Sequence, residues 1–470
     1  MFLQPQYVQT MASVLTPVFA ILTVIYLISG VDDALVDVVA LIRGLRLQRL
    51  SDVELRELSE HREKAIAIVV PAWDEGDIIG RMLSGNLPRL EYENFHIFVG
   101  VYPNDPATLK VVSALSLHDP RVHAVVNQLP GPSSKGQILN HVFRTILASE
   151  ADHGAFFEGF LMQDAEDLIH SQMLRLINAR LETYDFIQTP VFSLAVGWRS
   201  LVAGIYIDEF AELHSKDLLV REAMGGGVPS AGVGTALSRH LVTRLLAASG
   251  HVLNEGTLTE DYELGLRVKL LGFPQNFAGC YYDHPFSGER EYIATREFFP
   301  KSFRRSIRQK TRWTIGIALQ GWRNLGWPGG WGMQYFLWRD RKGLLTNIAG
   351  AMGYLWLFGL VLYTWAAKSN IIRPGTAGMQ TLYVLAMINL GLSCNRLGQR
   401  LLAVARVYGP SYCLPIIVRW PVGNLINAAA SLIALRNDWR ARIFKRTLTW
   451  VKTEHELPQN FGNHAPEIGV

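Results

Sequence analysis

Three short motifs contain side chains that could do chemistry on a charged substrate. An Asp-Ala-Glu-Asp run begins at Asp164, a Thr-Glu-Asp run begins at Thr259, and a Gln-x-x-Arg-Trp segment begins at Gln309. Asp164 and Glu166 stand two residues apart and can point towards one hard cation, because Mg²⁺ and Mn²⁺ prefer oxygen ligands. The spacing therefore predicts a metal site that offsets negative charge on a phosphorylated substrate. The alternative is that the acidic run only stabilises the N-terminus of a helix before Leu168.

The motifs must be positioned by an α/β domain. Between about residues 51 and 328, short apolar β-branched runs alternate with helical periodicity, which is typical of a mostly parallel sheet covered by helices. The predicted strands are 65–71, 96–102, 122–129 and 159–163, and the predicted helices between them are 76–86, 106–117 and 135–148. Ligands of open α/β sheets bind beyond the carboxyl ends of the strands. We therefore expect the polar groups at 72–75, 102–105 and 164–166 to gather at one edge of the sheet.

In this order, the three motifs resemble the signature of the processive family-2 glycosyltransferases, which include the cellulose and hyaluronan synthases. The resemblance implies an α/β fold in which a nucleotide-sugar-binding GT-A (Rossmann-like) domain with a mostly parallel sheet is inserted between transmembrane helices, with amphipathic interfacial helices added. It implies an inverting, metal-dependent transfer of a hexose or N-acetylhexosamine from a UDP-sugar to a growing cell-surface polysaccharide. The runs at 30–33, 102–105 and 164–167 look most like the phage adsorption protein type of bacterial inner-membrane enzyme.

The resemblance also implies which residues meet the acceptor. Asp261 matches the general base that takes the acceptor proton, and Glu260 is expected to support it or to line the site. Trp313 is expected to stack on the terminal sugar of the acceptor, because an indole face suits the C–H side of a pyranose. Gln188, in a Gln-Thr-Pro segment, is expected near the acceptor channel. Two alternatives stay open: Thr259 could simply cap a helix, and Trp313 could anchor the chain at a membrane interface.

On the same grounds, eight residues are expected to bind the donor: Pro71, Asp74, Glu75, Asp105, Lys135, Asp164, Gln309 and Arg312. Lys135 would meet phosphate at a helix N-terminus. Asp74 stands where the family has Asn, and an acid at the position of Asp105 commonly contacts uracil, which favours UDP. Glu166 departs from the Asp-x-Asp pattern of the family, so Asp167 is the alternative second ligand for Mg²⁺ or Mn²⁺.

The hydropathy pattern predicts membrane segments on both sides of this domain. Hydrophobic residues make up 49% of the 470, and the stretches 10–31, 343–367 and 374–395 are uncharged and long enough to cross roughly 30 Å of hydrocarbon. A fourth apolar stretch, 407–435, is interrupted by prolines and by Arg419, and a charge in mid-membrane is costly. We interpret this fourth stretch as interfacial or re-entrant.

Basic clusters indicate the orientation of these segments. Lys and Arg concentrate on the cytoplasmic side of membrane proteins, and three clusters flank the predicted spans: Arg43, Arg46 and Arg49; Arg339, Arg341 and Lys342; and Arg396, Arg400 and Arg406. The clusters thus predict a multi-pass membrane protein with a cytoplasmic catalytic domain, and the resemblance implies that the membrane is the bacterial inner membrane. Asp32, Asp33 and Asp37 are expected in headgroup water rather than in ion pairs with the catalytic domain.

The expected division of the chain follows from these segments. Its parts are an N-terminal membrane and juxtamembrane helix (1–50), the GT-A domain (51–299), interfacial helices with the Gln-x-x-Arg-Trp motif (300–342), two membrane helices (343–395), and an interfacial or re-entrant segment with a basic tail (396–470). Three cysteines without metal-ligand spacing or even pairing fit a reducing compartment.

The expected partners are a UDP-sugar, a growing glycan or lipid-linked acceptor, and membrane lipid. An outer-membrane export protein or a cyclic-di-GMP-responsive regulator is a further expectation. Nucleic acid is not expected, because the net charge is only +4 and the Arg residues cluster at membrane edges. Two other functions stay open: the transfer of a single sugar to a lipid carrier, and a catalytically inactive membrane receptor or scaffold.

Overall fold

A computed structural model describes residues 5–150, 156–285, 287–366, 377–445, 456–458 and 461–462. The strands, in chain order, are β1 (Gln48–Arg49), β2 (Ala65–Pro71), β3 (Phe95–Val101), β4 (Val122–Val126), β5 (Phe157–Met162), β6 (Leu168–Ile169), β7 (Phe186–Gln188), β8 (Val191–Ser193), β9 (Thr235–Ser238), β10 (Gln275–Phe277), β11 (Cys280–Asp283), β12 (Arg290–Tyr292) and β13 (Thr295–Glu297). The α-helices are α1 (Pro5–Ile42), α2 (Asp52–Glu60), α3 (Gly76–Asn86), α4 (Pro106–His118), α5 (Lys135–Ala148), α6 (Met173–Arg180), α7 (Leu201–Glu212), α8 (Leu218–Ala223), α9 (Arg239–Ser249), α10 (Glu260–Leu270), α11 (Phe303–Trp313), α12 (Gly321–Leu325), α13 (Trp331–Ala366), α14 (Ala377–Tyr408) and α15 (Ile416–Ile443). π-Helical segments over Leu213–Asp217 and Thr314–Gln320 and a 3₁₀ turn over Pro410–Tyr412 complete these elements.

Seven strands form a central sheet in the order β10-β7-β9-β5-β2-β3-β4. Neighbouring strands run parallel, except that β9 is antiparallel to both β5 and β7. The mostly parallel sheet expected from the sequence is therefore confirmed, and the reversed direction of β9 is the difference. β13 lies outside this sheet, pairs with β8 and β6, and leads the chain towards α11.

Alternate residues of β2 pack into two hydrophobic clusters, one on each face of the central sheet. Ile66, Ile68 and Val70 join apolar side chains of α3, α4 and α6. Ala67 and Val69 join apolar side chains of α5, α9 and α10 on the other face. This burial of both faces explains why β2 is a continuous apolar run. It also fixes the register of the strand, and hence the place where its carboxyl end emerges.

N-terminal helix caps help to place Lys135 and Asp105 at the same edge of the sheet. Ser134 Oγ accepts the N–H of Gln137, so α5 begins at Lys135, as predicted. Asp105 caps α4 by accepting the N–H of Thr108 at 3.2 Å. β2, α3 and α5 have the bounds that the sequence predicts, while β3, β4 and β5 differ from the prediction by a few residues at their ends.

Four long helices pack together beside the α/β domain. α1 packs against α13 and α14, and α13 packs against α15. Two helical stretches in the described part of the chain, Pro17–Ile42 of α1 and Ile416–Ile443, are long and apolar enough to cross a membrane by length and composition. The predicted spans at 343–367 and 374–395 fall mainly in α13 and α14, and residues 367–376 lie outside the described residues. Those two spans stay predictions.

Most of the Arg419 segment is helical. Its later part lies in α15, with Pro421 inside the helix, and a 3₁₀ turn over Pro410–Tyr412 precedes that helix. The guanidinium of Arg419 is 2% exposed, lies 3.0 Å from Asp208 Oδ1 and donates to the carbonyl of Gly204 at 3.1 Å. A partner on α7 thus compensates the buried charge. The interfacial or re-entrant interpretation stays a prediction.

The acidic residues at the end of α1 are buried in ion pairs, so the expectation that they sit in headgroup water is wrong. Asp32 and Asp33 accept hydrogen bonds from Lys342 and Arg339 at the start of α13. Asp37 lies 2.5 Å from Lys216 Nζ in the π-helical segment Leu213–Asp217. These pairs hold α1 to the other long helices and to the segment that leads back to the α/β domain.

Candidate active site

A cavity of about 150 Å³ lies between the carboxyl edge of the central sheet and α11. Most of the site residues expected from the sequence line it: Pro71, Glu75, Lys135, Asp164, Glu166, Glu260, Asp261, Gln309, Arg312 and Trp313. Motifs that are far apart in the chain therefore meet at one place. Asp74, Asp105 and Gln188 are the expected site residues that lie outside the lining.

Asp164 and Glu166 both face the cavity, whereas the Asp167 carboxylate turns back to its own loop. Asp167 Oδ2 accepts the backbone N–H of Asp164 at 2.7 Å, and the Asp167 side chain is fully buried. Burial, helped by the nearby carboxyls of Glu297 and Asp164, raises the pKa of Asp167 well above its ordinary value. The geometry therefore favours Glu166 as the second acid of the site.

Lys135 places an ammonium group beside these acids. Its Nζ lies 2.5 Å from Asp164 Oδ1 and donates to the carbonyl of Gly232 at 3.2 Å. Burial alone lowers the pKa of Lys135, but the carboxylates of Asp164 and Asp261 raise it above its ordinary value. Lys135 is therefore a fixed positive charge at a helix N-terminus, a place that favours anions.

Asp261 presents its carboxylate to the cavity from the first turn of α10. Asp261 Oδ1 accepts the N–H of Tyr262 at 2.8 Å. Burial raises the pKa of Asp261, and Lys135 only partly offsets this effect. Burial and the neighbouring Asp261 also raise the pKa of Glu260, to about 7. A carboxylate with a raised pKa accepts a proton more readily near neutral pH, so the site contains a group suited to act as a base.

Thr259 does not cap α10 through its side chain, although it stands at the N-cap position. Its Oγ1 is buried and has no hydrogen-bond partner among the described residues. Gly316 in the second π-helical segment lies against it, and a Cβ on Gly316 would come within 2.2 Å of Thr259 Oγ1. The absence of a side chain at 316 therefore lets the segment after Trp313 pack closely on the Thr-Glu-Asp run.

α11 carries Gln309, Arg312 and Trp313 to the cavity from one face. Positions i, i+3 and i+4 of a helix lie on the same side, which explains the spacing of the motif. Arg312 makes no hydrogen bond or ion pair with the described part of the chain. The ring centroid of Trp313 lies 6.1 Å from that of Tyr206 and 6.2 Å from that of Phe210. One side of the indole is thus held by aromatic rings while the residue still lines the cavity.

Trp73, Tyr102 and Glu297 line the cavity although sequence reasoning gave them no role of their own. Trp73 and Tyr102 follow β2 and β3 and contact each other edge to face, with ring centroids 5.1 Å apart. Both stand in the stretches 72–75 and 102–105 that were expected at this edge of the sheet, so a role for them could have been found. Glu297 reaches the cavity from β13, and the sequence around it carries no comparable signal.

Asp74 and Asp105 support the loop beside these aromatic residues. The backbone of Asp74 has φ +55°, a left-handed conformation that Asn and Asp adopt more readily than most residues, which accounts for either residue type at this position. The N–H of Asp74 donates to Asp105 Oδ2 at 2.6 Å. Asp105 therefore fixes the loop and caps α4 with one carboxylate. The donor contacts expected for both residues stay predictions.

Gln188 is fully buried, which corrects the expectation that it binds the acceptor. Its Oε1 accepts hydrogen bonds from Ala231 and Thr235, and its Nε2 donates to the carbonyls of Thr189 and Val233. These four bonds occupy the amide within the protein. The residue type fitted either role, and only the tertiary structure decides between them.

A second cavity, of about 340 Å³, lies on another side of Trp313. Trp313 lines both cavities, and Asn347 of α13 and Asn424 and Asn427 of α15 line the second. A third cavity, also of about 340 Å³, shares Asn347 and Asn424 and extends to Tyr26 of α1. The second and third cavities therefore lie among the long helices, and carboxamides, aromatic rings and charged groups line them.

The acids of the first cavity suit a divalent cation only together with a ligand that brings its own oxygens. Within the described residues, no group of three or more His, Cys, Asp or Glu side chains is arranged to hold a metal ion. Asp164 and Glu166 offer the oxygen donors that Mg²⁺ and Mn²⁺ prefer, and the ammonium group beside Asp164 shows that this carboxylate already attracts a cation. The residues therefore fit a metal that also binds phosphate oxygens.

Comparisons with known proteins identify the family of the chain. Residues 61–316 match the family described as glycosyltransferase-like family 2. The chain is 40% identical over 466 residues to bacteriophage adsorption protein B of Escherichia coli K12 and, at the same identity, to bacteriophage N4 adsorption protein B of Escherichia coli O157:H7. Each alignment covers 94% of this chain and 62% of the relative, so the chain spans less than two thirds of the length of these proteins.

Solved structures resemble the chain more distantly. A mannosyltransferase of Pyrobaculum calidifontis in complex with GDP-Man and Mn²⁺ is 14% identical, covers 88% of this chain and 99% of its own, and has a TM-score of 0.48. S. aureus TarS 1–349 in complex with UDP-GlcNAc is 12% identical, covers 86% of this chain and 98% of its own, and has a TM-score of 0.34. Neither similarity identifies a donor, an acceptor or a metal for this chain.

Proposed function

Because the chain belongs to glycosyltransferase family 2, we propose that it is an inverting transferase that moves a sugar from a UDP-sugar to a growing cell-surface glycan. The family match confirms the resemblance that the three motifs predict, and the mixed α/β sheet is the GT-A domain of this family. One observation carries the proposal. A single cavity holds a pair of carboxylates, a protonated lysine, a buried acid and an arginine, which are the groups that transfer from a nucleoside diphosphate sugar requires.

The reaction follows from the charges around the cavity. The acceptor hydroxyl gives its proton to Asp261 while its oxygen forms a bond to the anomeric carbon. The bond from that carbon to the diphosphate breaks, and UDP leaves with the electron pair. Lys135 and Arg312 both line the cavity and would stabilise the negative charge that develops on the leaving group. Attack from the side opposite the diphosphate inverts the anomeric configuration.

Asp164 and Glu166 would hold Mg²⁺ or Mn²⁺ together with the diphosphate. The bound cation would offset the charge of the leaving group. The placement of Lys135 against Asp164 supports this assignment, because an ammonium group and a metal ion both neutralise the same carboxylate.

The nucleobase would bind beside Trp73 and Tyr102, which stand on the loops that follow β2 and β3. Aromatic faces stack well on a base, and the ring of Trp73 lies edge to face with that of Tyr102. Asp105 lies next to them and holds the loop through the N–H of Asp74. These contacts support uracil in this pocket, with Pro71 and Glu75 at its margin.

The acceptor would approach Trp313 from the second cavity. The carboxamides of Asn347, Asn424 and Asn427 offer both donors and acceptors to sugar hydroxyls. A cavity of about 340 Å³ beside Trp313 supports a polymer over the transfer of one sugar to a lipid carrier, which remains the alternative. The cations of this cavity are engaged by acids, as Lys310 is by Glu209, and so offer little to a lipid phosphate.

We also propose that the protein lies in the bacterial inner membrane, with the parts 1–50, 51–299, 300–342, 343–395 and 396–470 in the roles given above. Exposed apolar residues along α1 and α15, such as Ile28, Leu35 and Leu432, support contact with lipid. The catalytic domain would then face the cytoplasm, where UDP-sugars are made. An export protein and a cyclic-di-GMP-responsive regulator stay predictions.

An inactive receptor or scaffold is disfavoured by the state of the cavity. Loss of catalysis would leave no reason to keep a half-buried acid with a raised pKa in one cavity with a lysine and an arginine. The deciding experiment uses purified protein in detergent, a panel of UDP-sugars with GDP-mannose as the control, and Mg²⁺ or Mn²⁺. We expect UDP release from one UDP-sugar only when metal is present. No release from any donor would overturn the proposal.

Replacing Trp313 separates donor chemistry from elongation. We expect Trp313→Ala to retain UDP binding and slow hydrolysis of the UDP-sugar, because the indole is proposed to stack on the acceptor. Product length on a gel should fall to one or a few sugars. Trp439→Ala, at an exposed position of α15, is the matched control and should leave product length unchanged. Unaltered polymer from Trp313→Ala would mean that Trp313 only anchors the chain at the interface.

A further inference from the structure

We propose that Gln188 is a positioning residue that holds the 230–235 loop, and through it the carboxylate of Asp261, in the geometry needed for proton transfer. The inference rests on the proposed function, in which Asp261 is the base. Gln188 is the last residue of β7, is fully buried, and does not line the cavity. Its influence on the reaction must therefore pass through its neighbours.

The amide of Gln188 ties together both halves of the loop. Oε1 accepts the N–H of Ala231 at 2.9 Å and the hydroxyl of Thr235 at 2.7 Å. Nε2 donates to the carbonyl of Val233 at 2.9 Å and to that of Thr189 at 2.8 Å. One side chain thus satisfies groups before and after Gly232. Gln188, Thr189 and Thr235 are fully buried, so the loss of this amide would remove a bond from the Thr189 carbonyl and leave Thr235 with Ser230 Oγ as its remaining close partner.

Gly232 connects this loop to the chemistry. Its backbone has φ +83°, and a Cβ built on it would lie 2.5 Å from Asp261 Oδ2. Its carbonyl accepts the hydrogen bond from Lys135 Nζ, and its N–H donates to Ser230 Oγ at 3.0 Å. The loop backbone is therefore in van der Waals contact with the base and bonded to the lysine that balances its charge.

Only a carboxamide meets both demands of this position. A carboxylate could accept from Ala231 and Thr235, but it would face the carbonyl oxygens of Val233 and Thr189. A methionine of similar size would make none of the four bonds. The loop would then be free to shift, and a shift of about 1 Å at a reacting group can lower turnover by about 10²-fold.

The test compares Gln188→Met with Asn178→Leu. Asn178 is also a fully buried amide bonded to backbone groups, those of Lys64 and Arg62, but it lies away from the cavity. Both variants should lose thermal stability. We expect only Gln188→Met to lower kcat, by about 10- to 100-fold, with UDP affinity and acceptor KM within about threefold of wild type.

A milder variant covers the case in which Gln188→Met does not fold. Thr235→Val keeps the shape of the side chain, removes its bonds to Gln188 and to Ser230 Oγ of the same loop, and should lower kcat by about 3- to 10-fold. A kcat within about threefold of wild type for Gln188→Met, or within about twofold for Thr235→Val, overturns the inference. A raised acceptor KM with unchanged kcat overturns it too, because it would restore the acceptor-binding role.

Hydrogen exchange tests the inference without any sugar transfer. The N–H of Tyr262 lies in the first turn of α10, where helix N–H groups lack intrahelical partners, so its protection comes from Asp261 Oδ1. Loosening the loop should speed exchange at Ala231 and at Tyr262 in Gln188→Met, but not in Asn178→Leu. If wild type transfers no sugar, the proposed function fails, while unchanged exchange at Tyr262 refutes the positioning role separately.

Discussion

Asp261→Asn should lower the rate of sugar transfer by about 10²- to 10⁴-fold while the protein still binds UDP and metal. The amide keeps the shape of the carboxylate, and its oxygen can still accept the N–H of Tyr262, so the fold of α10 should be preserved. What is lost is the ability to take the acceptor proton. Calorimetry should give a UDP affinity within about twofold of wild type, while a coupled assay follows UDP release.

Glu263→Gln provides the control for this variant. Glu263 lies on the same helix and bonds to Asn254 and Asn324 rather than facing the cavity. Its amide should support transfer at nearly the wild-type rate. If Asp261→Asn makes normal amounts of product, Asp261 is not the base, and the neighbouring Glu260 becomes the next residue to replace.

Asp164→Asn should abolish measurable transfer. The variant removes a metal ligand and leaves Lys135 without its closest partner, at 2.5 Å. Loss of charge compensation at the diphosphate removes several kcal/mol of transition-state stabilisation, which corresponds to about 10³-fold or more in rate. Titration of Mn²⁺ in the presence of UDP should also show weaker metal binding, which separates this defect from that of Asp261→Asn.

The second metal ligand can be identified by comparing Glu166→Gln with Asp167→Asn. The Glu166 side chain lines the cavity, so its amide variant should lose most activity and most metal affinity. The Asp167 carboxylate instead binds the backbone N–H of Asp164, so its amide variant should act mainly on stability. Wild-type turnover in Glu166→Gln together with an inactive Asp167→Asn would show that the metal pair is assigned wrongly.

Much of the α/β domain could be predicted from the sequence because its signals are local. β2 is a continuous apolar run, and α5 begins after a serine that caps it, so both have their predicted bounds. The rule that ligands bind at the carboxyl ends of strands then gathers Lys135, Asp164 and Glu166 at one edge, as the structure has them. Site residues on loops directly after strands could therefore be predicted together.

Ion pairs between residues far apart in the chain could not be predicted from the sequence. Arg419 argued against a continuous helix because its partner, Asp208, is 211 residues distant. Asp32 was expected in water because Lys342 and Arg339 belong to another helix. In each case local hydropathy gives the cost of burying a charge but not the ion pair that offsets it.

Gln188 shows a different limit. A glutamine beside a predicted acceptor channel is chemically suited to bind sugar hydroxyls, and nothing in the sequence distinguishes this from binding a loop. Three of its four hydrogen bonds join it to a segment more than forty residues later, two to the backbone of Ala231 and Val233 and one to the hydroxyl of Thr235. Residue type identifies what a side chain can do, whereas tertiary structure identifies which partner it has.

The central claim is a single displacement in which Asp261 accepts the proton of the acceptor. Its most direct test is the anomeric configuration of the first product, followed by proton NMR with the UDP-sugar that the donor panel selects. A single displacement predicts a β-linked product from an α-linked UDP-sugar from the earliest time point, with Asp261→Asn forming it far more slowly. An α-linked product would mean that the configuration is retained, and it would contradict the account.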